Sequence, residues 1–364
     1  MFEPTFQINN KILNYISQIE ASKAIIESSP LLPLYERQFK SEAAVRKVHF
    51  STAIEGNYLN LNEVRRIVDG DIREVFNDSG ENFVARKRDV YEVINYRDLI
   101  KYIDNVISNL KSTGEKIQIT EDSIKEMHKI LLRNIYESIG KYRVGVAATV
   151  NFATGEKLYP YEEVDNINKR IKDLINWYNS NEANNINPIL KAGILHLEFV
   201  RIHPFEEGNG RMARALATLS LSADGYDVGH FFCLDEYYDS NAQDYYYYLG
   251  EGFVNLNSWL EYFCLGMAIE FNRIKERVQK ISKDAKIKQK VGRMFITERQ
   301  EKIIEWLNNY GFFRNQDFAT LFPDLSDDTV LRELKALVDN QIIAKNLETI
   351  HNYRLKPNKN ILLN

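Results

Sequence analysis

The sequence predicts an all-α protein, in which a helical core carries one small β-hairpin and a smaller domain follows. Three observations lead to this fold class. Isoleucine and leucine recur at helical spacing near the N-terminus, at Ile8, Ile12, Leu13, Ile16 and Ile19. Helix-ending signals follow such segments, as in Ser28-Ser29-Pro30 and at Gly56-Asn57. Residues typical of strands are grouped in short stretches, one of them at 142–152.

Each helix of the first part of the chain is predicted from its periodicity and its end signals. Thr120 is a typical N-cap, and Glu121 and Asp122 favour the first turn of the helix that it opens. A turn at 153–156 separates the strand at 142–152 from a short return at Leu158-Tyr159, which together predict the hairpin. The predicted helical segments are 1–30, about 34–55, about 61–110, 120–133, 163–179 and 188–202.

The C-terminal part resembles a winged helix. Thr297 and Gln300 form a capping box that opens a helix at 297–310. Further helices are predicted at about 315–322 and 326–340, and a hairpin at 342–344 and 351–355. The acidic start of the third helix, Ser326-Asp327-Asp328, would repel phosphates, so contact with protein or dimerisation is favoured over nucleic acid. The predicted domains are an N-terminal helical region (1–112), a catalytic core (113–275), a basic helical linker (276–296) and the winged-helix-like domain (297–364).

Composition limits the function classes. The chain has 364 residues, of which 27% are charged and 44% hydrophobic, and its net charge is −4. This charge argues against a protein that coats nucleic acid or binds anionic membranes. Two cysteines, Cys233 and Cys264, indicate a reducing compartment. No signal peptide and no run of roughly 20 apolar residues is visible, so we expect a cytoplasmic protein with no membrane contact.

One stretch, HPFEEGNGRMAR at 203–214, concentrates residues suited to phosphoryl or nucleotidyl transfer. It combines a potential base, a carboxylate, a glycine-rich turn and two arginines that stand three positions apart on one helix face. A helix that begins at the turn would present unpaired N–H groups and a favourable dipole to a phosphate. The candidate residues are His203, Glu207, Gly208, Asn209, Gly210, Arg211 and Arg214.

This stretch resembles the signature of Fic-domain proteins, H-x-F-x-[DE]-G-N-G-R-x-x-R, at every fixed position. The resemblance implies a protein adenylyltransferase, which binds ATP and Mg²⁺ and moves AMP to a Ser, Thr or Tyr hydroxyl. His203 would be the general base, and Glu207 would be the magnesium ligand. Residues 208–210 would hold the α-phosphate, and Arg211 and Arg214 would bind the β- and γ-phosphates.

A second motif of that family lies N-terminal to the signature. Ser51-x-x-x-Glu55-Gly56 resembles the inhibitory motif [ST]-x-x-x-E-[GN]. Glu55 is predicted in the last turn of a helix, where the dipole disfavours a carboxylate by roughly 0.3–1 kcal/mol. We therefore expect Glu55 to pair with Arg214 in the resting protein, with the Ser51 hydroxyl steadying the carboxylate.

The resemblance also assigns contacts to the nucleoside and to the target. Gly140-Lys-Tyr-Arg143 would lead into a flap that holds the target backbone by strand addition, and Val150 and Asn151 would meet the nucleotide. Tyr245 and Tyr246 match the family's aromatic contact to adenosine, whereas Phe253 replaces an asparagine of some relatives. His196 is expected to be a buried structural histidine and not a second base.

Other functions remain open at this stage. Related folds use the same loop to transfer phosphate or phosphocholine. The enzyme could instead remove AMP, with Glu55 positioning a water molecule. A protein of another class, a winged-helix transcriptional regulator with a Fic sensor region, is the second alternative. The expected partners are ATP and an undetermined target protein, or the protein itself as target. A homodimer and, less favoured, a nucleic acid stay open.

Overall fold

The computed structural model describes residues 2–29, 33–70, 87–150, 157–228, 231–291, 297–310, 312–339, 342–345 and 352–355. The chain divides into two compact units, Met1–Lys283 and Asp284–Asn364. Each unit has a hydrophobic core of its own. Among the described helices, none combines the length and the apolar composition that a bilayer span requires.

In the part of the chain that is described, the first unit begins with five helices, some of which start at clear side-chain caps. The Asn9 side chain accepts a hydrogen bond from the Ile12 N–H at the start of the first helix. The Thr120 hydroxyl caps the fifth helix by accepting from the Ser123 N–H at 3.1 Å, which confirms the predicted cap. The helices are α1 (Asn10–Ser28), α2 (Pro33–Ala53), α3 (Leu61–Asp69), α4 (Lys87–Thr113) and α5 (Glu121–Leu132).

A two-stranded antiparallel hairpin interrupts the helices where one was predicted, but residues 142–147 of the predicted first strand are not in a strand. Strand β1 (Ala148–Val150) pairs with β2 (Lys157–Pro160), and Thr149 lies opposite Tyr159. The register shifts between Thr149 and Val150. Residue Asn151, predicted to meet the nucleotide, lies outside the described residues.

Two tightly packed helices form the centre of the first unit. In α8 (Pro188–Ile202) every residue except Pro188 and Arg201 is buried, and this helix packs along α9 (Asn209–Ala223). His196 has no exposed surface and lies in this core, as predicted. The other elements here are a 3₁₀ turn (Val164–Asn166), α6 (Ile167–Tyr178), α7 (Asn181–Asn184), α10 (Leu234–Ser240) and α11 (Ala242–Val254). Helix α12 (Leu256–Val291) begins in this unit and continues past its end at Lys283.

The second unit packs short helices against a small sheet. Its elements are α13 (Glu298–Tyr310), β3 (Phe313–Arg314), a 3₁₀ turn (Asn315–Asp317), α14 (Phe318–Leu321), α15 (Asp327–Asp339), β4 (Ile343–Lys345) and β5 (Asn352–Leu355). Strand β5 lies between β3 and β4, antiparallel to both. The Thr297–Gln300 capping box is present. These elements follow the predicted order, while the winged-helix assignment and the four-domain division stay predictions.

Candidate active site

The signature stretch forms a tight turn between the two central helices. α8 ends at His203, whose backbone adopts the left-handed conformation (φ 49°, ψ 58°) and whose N–H donates to the Phe199 carbonyl oxygen at 3.0 Å. α9 then begins after Gly208, which also has a positive φ of 81°. Glycine adopts this conformation without steric cost. The turn therefore places the His203 imidazole beside the N-terminus of α9, where N–H groups have no intrahelical acceptor.

The His203 imidazole is suited to accept a proton at neutral pH. Its Nδ1 lies 3.3 Å from the Val200 carbonyl oxygen, and a carbonyl can only accept, so Nδ1 is the donor and Nε2 keeps its lone pair. Burial lowers the pKa of His203 to about 4. The ring is accordingly neutral at pH 7, and no described residue uses the Nε2 lone pair in a hydrogen bond.

The side chain of Asn209 closes the turn. Its Oδ1 accepts from the Phe205 N–H at 2.9 Å, and its Nδ2 donates to the Phe205 carbonyl oxygen at 2.8 Å. Both functional groups of the amide are thus used within the loop. The role of Asn209 in holding a phosphate stays a prediction.

His128 of α5 packs against the signature turn. Its ring stacks on Phe205, with the ring centroids 3.7 Å apart and the planes 9° apart. The Gly140 N–H donates to His128 Nδ1 at 2.8 Å, so Nε2 carries the proton and donates to the Glu207 carbonyl oxygen at 3.0 Å. Burial lowers the pKa of His128 to about 4, which keeps this neutral tautomer at physiological pH.

Two carboxylates and two arginines form a chain of ion pairs on one side of the turn. The Arg211 guanidinium is almost fully buried and lies 3.4 Å from Glu207 Oε1 and 3.5 Å from Glu92 Oε1 of α4. Arg88, at the start of α4, contacts both of these carboxylates. Nε and Nη1 of Arg211 donate no hydrogen bond to any described residue. A buried arginine with unused donors is well suited to bind an anion.

The second arginine of the signature is held by the inhibitory motif. Arg214 Nη2 donates to Glu55 Oε1 at 2.9 Å and to the Ser51 carbonyl oxygen at 2.9 Å. Its Nε donates to Ser51 Oγ at 3.0 Å and lies 3.0 Å from Asp235 Oδ1 of α10. The expected pairing of Glu55 with Arg214 is thus present in the structure.

Two details of the predicted inhibitory segment were wrong. The Ser51 hydroxyl accepts from Arg214 Nε, and Glu55 Oε1 accepts from Nη2 of the same guanidinium, so among the described residues Arg214 and not Ser51 holds the carboxylate. Helix α2 ends at Ala53, so Glu55 lies in the turn that follows and not in the last helical turn. Gly56, with φ of 86°, provides the left-handed residue that ends the helix early.

The Glu55 carboxylate lies directly over the N-terminus of α9. A Cβ atom built on Gly210 would lie only 2.4 Å from Glu55 Oε1, so glycine is required for this close approach. Burial by itself would raise the pKa of Glu55, but Arg214 and Arg211 lower it below its usual range. Glu55 is therefore an anion that occupies the position expected for a phosphate group.

A cavity of about 130 Å³ opens beside these residues. Tyr245 lines it but is 1% exposed, with its hydroxyl 3.2 Å from His196 Nε2. Tyr246 is 45% exposed, so of the two predicted adenosine contacts it is the more accessible. The complete lining consists of Glu55, Tyr161, Val200, His203, Gly210, Arg214, Tyr245, Tyr246, Leu249 and Phe253.

Comparison with known families gives this site a context. Residues 118–221 match the model of the Fic/DOC family. The chain contains a Fic domain.

Curated relatives align with more of the chain than the Fic domain alone. The protein adenylyltransferase fic-1 of Caenorhabditis elegans is 28% identical over 221 residues, which is 60% of this chain and 39% of the relative. The protein adenylyltransferase Fic of Nematostella vectensis is 27% identical over 237 residues, or 65% of this chain and 49% of the relative. The chain thus matches less than half of the length of these relatives.

Solved structures share the fold. A Fic family protein from Desulfovibrio desulfuricans G20 has a TM-score of 0.66 at 21% identity and covers 98% of this chain and 99% of its own. Fic-1 from C. elegans has a TM-score of 0.59 at 22% identity, with 75% and 73% coverage.

The Fic domain anchors its flap through Arg143, which the sequence analysis placed only at the start of that segment. Arg143 is 2% exposed, and its Nε donates to the His203 carbonyl oxygen at 2.7 Å. Its backbone N–H donates to the Pro204 carbonyl oxygen, and its Nη2 donates to that of Glu162 after β2. Arg143 therefore connects the segments before β1 and after β2 to the signature turn. Val150 lies in β1 as predicted, while its contact with a nucleotide stays a prediction.

Several residues that surround the Fic signature were not predicted from the sequence. They are Arg88, His128, Tyr161 and Asp235. For His128 a signal existed, since a histidine on the apolar face of α5 is a buried polar group that needs partners. The others belong to segments that no motif connects to the signature.

Proposed function

We propose that this protein transfers AMP from ATP to a Ser, Thr or Tyr hydroxyl of a protein, and that Glu55 restrains the resting enzyme. The observation that carries the proposal is the Glu55 carboxylate bound to Arg214 over the N-terminus of α9, beside the basic nitrogen of His203. An anion held there by an arginine and a helix N-terminus marks a phosphate site. The names of the relatives, protein adenylyltransferases, support AMP as the transferred group.

The chemistry follows from the positions of the side chains. Nε2 of His203 accepts the proton of the target hydroxyl as its oxygen attacks the α-phosphorus. A bond forms between that oxygen and phosphorus, and the bond to the β-phosphate oxygen breaks, which releases pyrophosphate. The first-turn N–H groups of α9 stabilise the charge that develops on the α-phosphate oxygens. Arg211 and Arg214 bind the β- and γ-phosphates.

Glu207 fits the proposed magnesium ligand. Its carboxylate is a hard oxygen donor, its side chain is 25% exposed, and it lies beside Arg211 at the edge of the turn. Bound Mg²⁺ would neutralise charge on the phosphates. Because Arg88 contacts Oε1 of the same carboxylate, Arg88 would compete with a cation for the charge of Glu207.

Transfer is favoured over the alternatives because the curated relatives that we compared are named adenylyltransferases. AMP removal and transcriptional regulation by a Fic sensor region have no separate support in the contacts described here. Modification of a separate target protein, formation of a homodimer and a cytoplasmic location stay predictions.

The test incubates the protein with Mg²⁺, ATP labelled at its α-phosphate and a lysate of the cells in which the protein naturally occurs. Mass spectrometry then locates the label. The Glu55→Gly protein serves as the active form. Adding His203→Ala should abolish labelling, while ATP binding measured by calorimetry stays within a few-fold, because the phosphate contacts come from other residues. Labelling that persists at the parent rate without His203 would contradict the assignment of the base.

A further inference from the structure

An aromatic ring covers one face of the His203 imidazole. Tyr161, the residue directly after β2, stacks on His203 with the ring centroids 3.7 Å apart and the planes 16° apart. Both side chains line the same cavity. The stack is closer and more parallel than most aromatic pairs, whose centroids are about 4.5–7 Å apart.

The hydrogen bonding of the His203 imidazole does not by itself prevent the ring plane from tilting. Nδ1 is 3.3 Å from the Val200 carbonyl oxygen, which is longer than the usual hydrogen bond of about 2.9–3.0 Å. Among the described residues this is the hydrogen bond of the ring, and one long bond at one ring atom fixes a direction but permits the ring plane to tilt. A ring stacked on one face restricts that tilt, because tilting would separate or overlap the two π-systems.

The backbone that carries Tyr161 is itself fixed. The N–H of the next residue, Glu162, donates to the Arg201 carbonyl oxygen at 3.2 Å, and the Glu162 carbonyl oxygen accepts from Arg143. Arg143 also donates to the His203 carbonyl oxygen. The buried guanidinium of Arg143 thus holds the backbone of His203 and also the segment that places the Tyr161 ring on the imidazole.

We propose that Tyr161 is a positioning residue for His203, whose ring holds the imidazole plane so that Nε2 faces the target hydroxyl. The proposal rests on the function proposed above, in which His203 is the base. It requires the face of the Tyr161 ring and not its hydroxyl. Phenylalanine at position 161 should therefore preserve the orientation of His203, whereas an aliphatic side chain should not.

The kinetic test compares variants in the Glu55→Gly protein. Tyr161→Leu should lower the rate of AMP incorporation at saturating ATP by about 10- to 100-fold, since a misplacement of the base of about 1 Å has effects of this size. The ATP concentration for half-maximal rate should change less than about twofold, because no phosphate contact is removed. Tyr161→Phe should retain the parent rate. Tyr136→Leu, at a tyrosine that is 38% exposed outside the cavity, is the matched control and should also retain it.

A spectroscopic readout separates positioning from a general loss of structure. The ring protons of His203, assigned by their disappearance in His203→Ala, should show an upfield ring-current shift in the parent and in Tyr161→Phe. In Tyr161→Leu they should move downfield, while the unfolding temperature stays near that of the parent. If the leucine variant does not fold, Tyr161→Met takes its place.

Several outcomes would overturn the proposal. One is an undiminished rate in a folded leucine variant that has lost the ring-current shift. Another is a phenylalanine variant as slow as the leucine variant, which would assign the role to the hydroxyl. Absence of the shift in the parent would show that the stack does not form. Failure of the proposed function looks different, since the parent would then incorporate no AMP while the ring-current shift remained measurable.

Discussion

Replacing Glu55 by glycine should raise AMP transfer, including transfer to the protein itself, by about 10- to 100-fold. In the resting structure Glu55 Oε1 lies 2.9 Å from Arg214 Nη2 and directly over Gly210. A triphosphate that uses Arg214 must displace this carboxylate. ATP that binds without displacing it has its phosphates misplaced, so that its α-phosphorus is out of line with the attacking hydroxyl.

The magnitude follows from the bond that must be broken. A hydrogen bond between charged groups contributes about 1.5–3 kcal/mol, and each 1.4 kcal/mol or so corresponds to about a tenfold change in rate. Arg214 is 3% exposed but the Glu55 side chain is 29% exposed, so solvent screens the bond in part and the effect belongs to the lower half of this range. After the substitution Arg214 still contacts Ser51 and Asp235, which should keep its guanidinium in place to receive a γ-phosphate.

The assay measures AMP incorporation by the parent and Glu55→Gly proteins at equal ATP and Mg²⁺. Glu137→Gly, which removes a carboxylate from an exposed bend, controls for the loss of charge and the added glycine. It should leave the rate unchanged. Equal or lower activity in a folded Glu55→Gly protein would refute the inhibitory role and make Glu55 a structural partner of Arg214.

Two further predictions concern residues that only the structure identified. Arg88→Met in the Glu55→Gly protein should lower the Mg²⁺ concentration for half-maximal transfer by about two- to fivefold, which is the range expected when a partly exposed ion pair is removed. An unchanged Mg²⁺ titration would contradict the competition between Arg88 and Mg²⁺ for Glu207. His128 has a folded pKa of about 4, below its unfolded value of 6.5. Its contribution to stability is therefore complete above pH 6.5 and lost as the pH falls toward 4. Urea unfolding of the parent between pH 7 and pH 5 should show a stability loss about 2 kcal/mol larger than that of His128→Leu, and parallel losses would rule out a buried neutral His128.

The sequence determined the parts of the protein that depend on neighbours along the chain. Helix periodicity and caps such as Thr120 predicted the helices and most of their ends, because helical hydrogen bonds and capping bonds join residues a few positions apart. The signature at 203–214 is also local, so the base, the phosphate turn and both arginines could be recognised together. The pairing of Glu55 with Arg214 was predicted only because two motifs of one family occurred in the same chain.

The tertiary structure decided which partner each of these groups meets. Arg214 reaches Ser51 across 163 residues of sequence, and Glu207 meets Arg88 across 119. No local periodicity carries such information, since these contacts depend on how whole helices pack. Two other details are local and could have been weighed from sequence: the Asn209 amide bonds Phe205 four residues away, and Gly56 was already recognised as a helix-ending signal. By contrast, the stacking of Tyr161 on His203 arises only when the flap folds back onto the end of α8.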